Sequence, residues 1–431
     1  MFKTRTGLHQ LAEKGETLFE KSVTPVAQRE AHPANHPAGI SSDRTQAVTI
    51  RSVTTRKDRA LFIKLPRLLY QGMASYTPPL DIEQRDLLDP GKAPIFRHAS
   101  VRYFIAWRGA RPVGRIAAIV DYVATARWEE RIGFFGALDA EADESVIRAL
   151  LDAARAWLRE NGMVQMRGPV TLNCHGESGV MVSGQDEAPM IATPWHPPHL
   201  HRMMERIGLK KEMDLLTFRL DLKQDYDFSS LFPQGFAPGS GRYEDISISR
   251  LSKRQIAAQG EVLRALYNDA WADTYNFVPM QAHEMRTMIK ALRPVLRPEH
   301  YVQIDQNGAP VAMALVVPNI FDLTRDIGPQ PSPLGWVKLA ARIMTHRCES
   351  ARLILLGVSH LVRGTMLGAL LPPLAISELL SRRNKLPYRY VELGWILETN
   401  TPMLNLVERF VTQPNKTHRI YAESLAGPPR S

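Results

Sequence analysis

The chain of 431 residues is too long for one ordinary core and fits two domains of roughly 150–200 residues each. Hydrophobic residues at 44% and charged residues at 23% lie near globular averages, which excludes disorder other than local tails. Lys plus Arg total 54 against 44 for Asp plus Glu, and the resulting +10 favours an anionic partner: a phosphorylated cofactor, an acidic membrane surface or nucleic acid. No zinc-finger spacing, RNP-like aromatic motif or basic-leucine heptad supports the last of these, so no nucleic-acid partner is expected.

Two cysteines, Cys174 and Cys348, fall in different predicted domains, a usage that suits a reducing compartment. No apolar signal-peptide core is read at the N-terminus, and no stretch approaches the ~20 apolar residues needed to span a bilayer. A cytoplasmic protein is expected.

Residues 1–46 read as a mobile arm, with Leu8, Leu11, Leu18 and Phe19 among basic residues and then a stretch rich in Pro, Ala, His and Ser. Residues 47–222 form the first predicted domain. Ala47–Val53 alternates as a strand, and Arg59–Tyr70 has the spacing of a helix kinked at Pro66. Two strands joined at Gly109 follow. Asp139, Glu141, Asp143 and Glu144 precede a helix without a basic glycine loop, an arrangement that suits the helix dipole and repels a diphosphate. Asn173, His175 and Glu177 alternate; on a strand they would share one face. His196, His199 and His201 lie close together, but the intervening prolines and the lack of a paired carboxylate motif speak against zinc, and no metal is expected. Lys210–Leu222 closes the domain as a strand.

Residues 223–242, dense in Gly, Pro, Ser and aromatic residues, form the predicted linker to the second domain, residues 243–425. Gln306-Asn307-Gly308 supplies the turn of a hairpin. In the insertion that follows, Leu334, Val337, Ala341 and Met344 recur at helical spacing with Trp336, Lys338, Arg342 and Arg347 on other faces. Such a helix suits either an anionic lipid surface or the domain's own core. Leu353–Leu356 is a short apolar run read as a buried strand. After it, Arg363, Gly364, Thr365 and Gly368 precede a helix over Ala369–Leu380, interrupted at Pro372-Pro373, whose first amides can bind an anion.

The segment GVSHLVRGTMLGALL, from Gly357 and Val358 through Arg363, Gly364, Thr365 and Gly368, resembles the acyl-CoA pyrophosphate loop of the GNAT N-acyltransferases, Arg/Gln-x-x-Gly-x-Gly/Ala. VELGWILETNTPMLNLVERF and NKTHRIY follow in the order of that family's strand, Asn-started helix and last strand. LYNDAWADTYNFVPM resembles a segment of a tandem-GNAT family, and within it the likeness, covering roughly Val48 to Leu425, points to the bacterial ceramide synthases.

The resemblance implies an α/β (α+β) fold of two GNAT-like domains, each a mixed, mostly antiparallel sheet flanked by helices, the first with a degenerate cofactor loop. It implies acyl-CoA as co-substrate and transfer of a long acyl chain to a sphingoid-base amine at a membrane surface. The alternatives are another small amine as acceptor, or a silent lipid- or protein-binding module.

By the same likeness, Leu315, Val316 and Val317 would polarise the thioester carbonyl, and Tyr267, Trp271, Tyr275 and Phe277 would wall the acceptor channel. Glu392, Trp395, Glu398 and Asn400, within ELxWILExN, would border the acceptor together with Asn173. Gly168, Pro169, Glu177 and Gly179 match the family's GP…E-x-G segment. Amine acylation needs a proton acceptor, and Glu177, His175 and Glu284 are the candidates. Val407 stands where many GNAT enzymes carry a tyrosine acid.

Overall fold

The computed structural model describes residues 46–426, except 173–175, 225, 228–230, 233–244, 250, 383, 384 and 387. The first half opens with β1 (Val48–Ser52) and α1 (Arg56–Leu69), whose capping box has the Thr55 hydroxyl accepting from the Asp58 amide. Helix α1 continues through Pro66. Proline offers no N–H to the Phe62 carbonyl one turn back, and that carbonyl accepts instead from the Arg115 guanidinium at 2.7 Å.

After α2 (Asp81–Leu87), β2 (Ala99–Arg108) and β3 (Arg111–Asp121) form the predicted hairpin, turning at Gly109 with φ +60°. Next come α3 (Tyr122–Trp128) and β4 (Ile132–Ala140), antiparallel to β3. Helix α4 (Glu144–Glu160) crosses to β5 (Gln165–Gly168), parallel to β4. Val146, Ile147, Leu150, Leu151, Ala154 and Leu158 make one buried face of α4. At ~1.5–3 kcal/mol for each large aliphatic side chain, this burial fixes the helix on the sheet far more firmly than its exposed Arg148–Glu144 pair. The half ends with β6 (Val180–Ser183), α5 (Pro198–Ile207) and β7 (Lys210–Asp221), the last close to the strand read at Lys210–Leu222.

The second half repeats the order. It contains β8 (Ile246–Ser249), α6 (Lys253–Ala258), α7 (Gly260–Ala270) and α8 (Ala282–Leu292), then the hairpin of β9 (Tyr301–Gln306) and β10 (Ala309–Pro318). Asn307 and Gly308 both have positive φ, +51° and +78°, as a type I′ turn requires. Past α9 (Phe321–Thr324) and α10 (Pro333–Thr345), β11 (Ser350–Val358) pairs antiparallel to β10. Helix α11 (Met366–Ser381) crosses to β12 (Tyr390–Leu397), parallel to β11, before α12 (Thr401–Val407) and β13 (Lys416–Ser424). The interruption expected at Pro372-Pro373 is absent: α11 runs through both prolines, with Leu371, Pro373, Ala375 and Leu379 buried against the core.

The strands make one sheet in the order β1-β2-β3-β4-β5-β13-β7-β12-β11-β10-β9-β8, with β6 also paired to β13. Thus β13, last in the chain, lies between β5 and β7, while β7 lies between β13 and β12. Each half lends a strand to the other, so the two cannot separate without breaking ladders. Among the described residues, no helix is long and apolar enough to cross a membrane.

Candidate active site

The parallel pair β11–β12 runs in register only from Ser350↔Tyr390 to Leu353↔Leu393. Beyond this the strands part. Gly394 adopts φ +139°, open to glycine, and β12 resumes its pairing with β7 at Ile396. From Leu355 to Val358 β11 keeps β10 on one side and, among the described residues, has no strand partner on the other. A wedge with a free backbone edge results.

Side chains around this wedge enclose a cavity of about 280 Å³ and an adjoining lobe of about 100 Å³, which share Trp271, Ile354, Gly394, Trp395 and Asn400. Tyr267 and Trp271 stack at 4.8 Å between centroids, with Phe277 tilted at 5.7 Å from Tyr267. These rings and Tyr275 line the larger cavity with Met280, Leu397 and Ile420. Gly357 lets the indole of Trp271 lie on the strand, because a Cβ there would stand 2.4 Å from the ring. Val407 is buried in the lobe and offers no acidic group.

Where β11 and β12 part sits Arg352, a residue the sequence reading passed over although a charge within an apolar strand is itself a signal. Its guanidinium is buried over the Trp395 ring at 4.5 Å and donates to the carbonyls of Gly394, Ile191 and Ala192 at 3.1, 2.9 and 2.5 Å. Burial without a contacting carboxylate pulls it down to about 10, while Glu392 and Glu177 at longer range oppose the shift.

The wedge leads into the loop before α11. Thr365 is the N-cap, its hydroxyl accepting from the Gly368 amide at 3.1 Å and donating to the Val362 carbonyl at 2.6 Å. Gly364 has φ +79°, and a Cβ on Gly368 would meet the Val362 carbonyl oxygen at 2.1 Å. The loop is tied to the end of α7: Asp269 accepts from the His360 amide at 2.9 Å, and Arg363 donates to the Ala270 carbonyl and to Asp273. The first amides of α11 supply the positive end of a helix dipole.

The corresponding place in the first half is built differently. The chain after β5 closes on β4, where the Val170 amide donates to the Phe135 carbonyl at 2.8 Å. A Cβ on Gly136 would fall 1.7 Å from the Val170 carbonyl oxygen. Helix α4 is capped by the Asp143 carboxylate, itself paired with Arg108 at 2.7 Å. No open wedge and no vacant anion site remain there among the described residues.

The other predicted residues separate. Leu315, Val316 and Val317 lie on β10 beside β11; the register with β11 shifts between Leu315 and Val316, and the ladder with β9 ends at Leu315↔Tyr301, so Val316 and Val317 have no β9 partner among the described residues. Glu392 is buried in an ion pair with Lys416 at 2.6 Å, away from the cavities. Glu398 accepts from the Asp214 amide and Lys211. Asn400 caps α12 by accepting from the Met403 amide and also borders both lobes. Glu284 accepts from the Gln281 amide at the start of α8 and lies 3.3 Å from His98 Nε2, whose Nδ1 faces Asp121 at 3.1 Å. Bonds from Asp121 first and Glu284 second push His98 up to about 10, making a clamp between the halves.

Asn173 and His175 lie outside the described residues. Glu177 sits in the turn between β5 and β6, facing a smaller cavity of the first half, and its carboxyl is pushed up to about 7 by burial and then by nearby Asp139. His196, His199 and His201 diverge: His196 accepts from the Met181 amide, and His199 bonds the Ala140 carbonyl.

A tandem GNAT protein from the clavulanic acid biosynthesis pathway has a similar fold, with a TM-score of 0.52 and 14% identity over 89% of this chain and all 100% of that one. A GCN5-related glucosamine N-acetyltransferase region of a fungal multi-domain β-N-acetylglucosaminidase matches with a TM-score of 0.50 and 14% identity, over 88% of this chain and 38% of that one. The fold is that of the tandem GNAT proteins.

No family profile matches the chain. Two curated relatives do. Protein YghO of Escherichia coli is 31% identical over 380 residues, 87% of this chain and 95% of its own length. The bacterial ceramide synthase of Caulobacter vibrioides is 31% identical over 389 residues, 89% of this chain and 99% of its own. The chain belongs to the bacterial ceramide synthase family.

Proposed function

We propose that this N-acyltransferase moves a long acyl group from acyl-CoA to the amine of a sphingoid base, 3-oxosphinganine or sphinganine, giving a ceramide or dihydroceramide. The observation that carries this reading is the aromatic, apolar wedge that opens on an unpaired strand edge and ends at a helix N-terminus. The likeness to a bacterial ceramide synthase supports the amine class.

An extended pantetheine arm fits the free edge of β11, where backbone groups of Leu355–Val358 replace a strand partner. The diphosphate fits the first amides of α11 with Gly364, Thr365 and Gly368. Arg363 adds charge there, since its exposed pair with Asp273 is weak enough to exchange for phosphate. The amine lone pair attacks the thioester carbonyl carbon, and backbone amides of Leu315–Val317, where β10 has lost its β9 partner, hold the oxyanion. Collapse breaks the C–S bond and releases the thiolate, which takes a proton from water.

The amine's proton needs an acceptor before attack. Glu177, with its carboxyl near neutrality, suits that role; His175 is the alternative, and Glu284 is committed to its clamp. Tyr267, Trp271, Tyr275 and Phe277 would line the chain channel, with Trp395 and Asn400 at its neck.

Apolar substrates are met at a membrane surface. Helix α10 exposes Leu334, Val337 and Met344 at 77%, 65% and 77%, with Trp336 beside them and Arg325, Lys338 and Arg347 also exposed. We infer peripheral contact with anionic lipid on the inner face of the cytoplasmic membrane.

The test is free-thiol release from palmitoyl-CoA by the purified protein, with sphinganine or 3-oxosphinganine present and then omitted, and the product followed by mass spectrometry. Amine-dependent thiol release with an amide product is expected. Coenzyme A binding without turnover on either amine would remove the sphingoid reading.

A further inference from the structure

The small cavity of the first half, about 90 Å³, lies where that half would otherwise carry its own acyl wedge, between Ala137 and Asp139 of β4 and Pro169 and Thr171 after β5. Its floor is charged. Arg115 pairs with Asp139 at 2.8 Å, and Arg67 pairs with Asp81 at 2.7 Å. Glu177 completes the set as a third carboxylate, and no hydrogen bond to its side chain is made by any described residue. His196, the other ionisable group on the floor, is pushed down to about 4 by burial and stays neutral. Of these three carboxylates, Glu177 alone is in no ion pair with a described residue.

The walls narrow the choice of that cation. Tyr76 and Trp195 line the cavity with ring centroids 5.4 Å apart, and ring faces attract ammonium groups. Ile63, Pro66 and Leu88, all buried, add apolar lining. The volume accommodates a few waters or a compact polar head.

This cavity and the acyl wedge share a wall one chain thick. Along the turn before β6, Gly176 and Ser178 face the wedge, while Glu177 and Gly179 face the cavity. Ala192 and Thr193 divide in the same way, and Arg352 holds that second segment through the Ile191 and Ala192 carbonyls.

We infer that this first-half cavity is the recognition site for the acceptor's head group, a primary ammonium, with Glu177 as the counter-ion and Tyr76 and Trp195 as the ring wall. The inference rests on the N-acyltransferase reading for the amine class. It divides the labour of the tandem fold: the second half holds the acyl thioester, and the first half, its own wedge closed by Val170, receives the amine before it passes to the thioester.

Loading an ammonium next to Glu177 favours the ionised carboxylate, so binding near pH 7 expels part of a proton. Asp139 and Glu83 raise the Glu177 carboxyl, Arg115 and Arg352 lower it, and none of these needs to change state.

The experiment is calorimetric titration of the full chain, without acyl-CoA, using a soluble eight-carbon 2-amino-1,3-diol and its uncharged N-acetyl counterpart, in two buffers of different ionisation enthalpy. The wild-type protein should bind the amine with proton release and fail to bind the N-acetyl compound. Glu177→Gln should weaken amine binding by about tenfold or more and abolish proton release, corresponding to about 1.4 kcal/mol. Glu177→Asp should restore part of both, which a packing role would not do. Equal binding of the N-acetyl compound, or an unchanged affinity in Glu177→Gln with an unchanged melting temperature, overturns the inference. Thiol release is scored separately: turnover with Glu177-independent amine binding sinks only this site, whereas Glu177-dependent binding without turnover sinks only the transferase reading.

Discussion

The indole of Trp271 rests on the backbone of Gly357, a strand position where any Cβ would stand 2.4 Å from the ring. That contact lets an aromatic wall from α7 close over the free edge of β11. Gly357→Ala should force the indole aside, costing about 1–3 kcal/mol of stability by overpacking and lowering kcat/KM for palmitoyl-CoA about tenfold or more. Trp271→Ala should relieve the clash, so the double variant should be more stable than the sum of the singles predicts. Thermal unfolding and steady-state kinetics of the three variants check this; additive costs would mean the two residues do not meet.

Arg363→Glu puts a carboxylate beside Asp273 and the first turn of α11, where a diphosphate is expected. Affinity for coenzyme A should fall about tenfold or more, equivalent to about 1.4 kcal/mol. Calorimetry with coenzyme A alone reads it. Unchanged affinity would take this loop out of cofactor binding.

Local pattern was legible wherever neighbours in sequence determine structure. The hairpin at Asn307-Gly308 and the strand at Leu353–Leu356 follow from turn chemistry and an apolar run, whereas α11 starts at Met366 behind its Thr365 cap, three residues before the Ala369 expected from apolar spacing. The aromatic wall of Tyr267, Trp271, Tyr275 and Phe277 was readable for the same reason, since these residues sit within one segment. What pairs across the sheet was not. Glu392 and Glu398 look like site residues in the ELGWILETN run, yet their partners, Lys416 and the Asp214 amide with Lys211, belong to β13 and β7. The crossing of β7 and β13 brings those groups together, and no local spacing announces it.

The buried pair of Glu392 and Lys416, both side chains 1% exposed, gives a stability test. Lys416→Met leaves an uncompensated carboxylate in the core and should destabilise by about 3–5 kcal/mol. Glu392→Gln with Lys416→Met should recover much of this, because removing both charges leaves neither stranded. Denaturant unfolding measures it. Near-wild-type turnover in the double variant would set Glu392 aside as an acceptor contact.

Two histidine sites set opposite limits on stability with pH. His300 donates through Nε2 to the Tyr388 hydroxyl, since its Nδ1 accepts from the Arg297 amide; Tyr388 in turn donates to His346 Nε2. Burial first, and then neighbouring cations, push His300 down to about 3 and His346 to about 4. Both fold neutral. Above pH ~6.5 this carries no proton cost, and as pH falls below that value the unfolded chain gains protons that the fold refuses, so stability drops toward pH 4. His98 behaves oppositely: its stabilisation is complete below pH ~6.5 and is lost as pH rises through about 10. Melting temperatures across pH should show both limbs. His98→Gln should flatten the alkaline limb alone, and His346→Gln should soften the acid limb alone; a limb that survives its variant belongs to other groups.

Helix α10 places Leu334, Val337 and Met344 on one exposed stripe while Leu339 on its opposite side is buried, the reverse of a helix whose apolar stripe is satisfied by its own core. Leu339 packs inward, and the Leu334 stripe does not. The single exposed Asp326 is shared by Lys338 and Arg342, leaving the segment basic. Removing the stripe from water by laying it on lipid would recover roughly 0.8 kcal/mol per buried CH₂, and anionic headgroups would add to this through the neighbouring cations. The full chain should therefore sediment with vesicles containing phosphatidylglycerol, less with purely zwitterionic ones, and less at high salt. Leu334→Ser, Val337→Ser and Met344→Ser together should abolish sedimentation with little change in melting temperature, because these side chains lack protein neighbours to lose. Turnover on a soluble short-chain acyl-CoA should persist in the triple variant, while turnover on vesicle-borne long-chain amine should fall. Full sedimentation of the triple variant would move the membrane contact to another face of the protein.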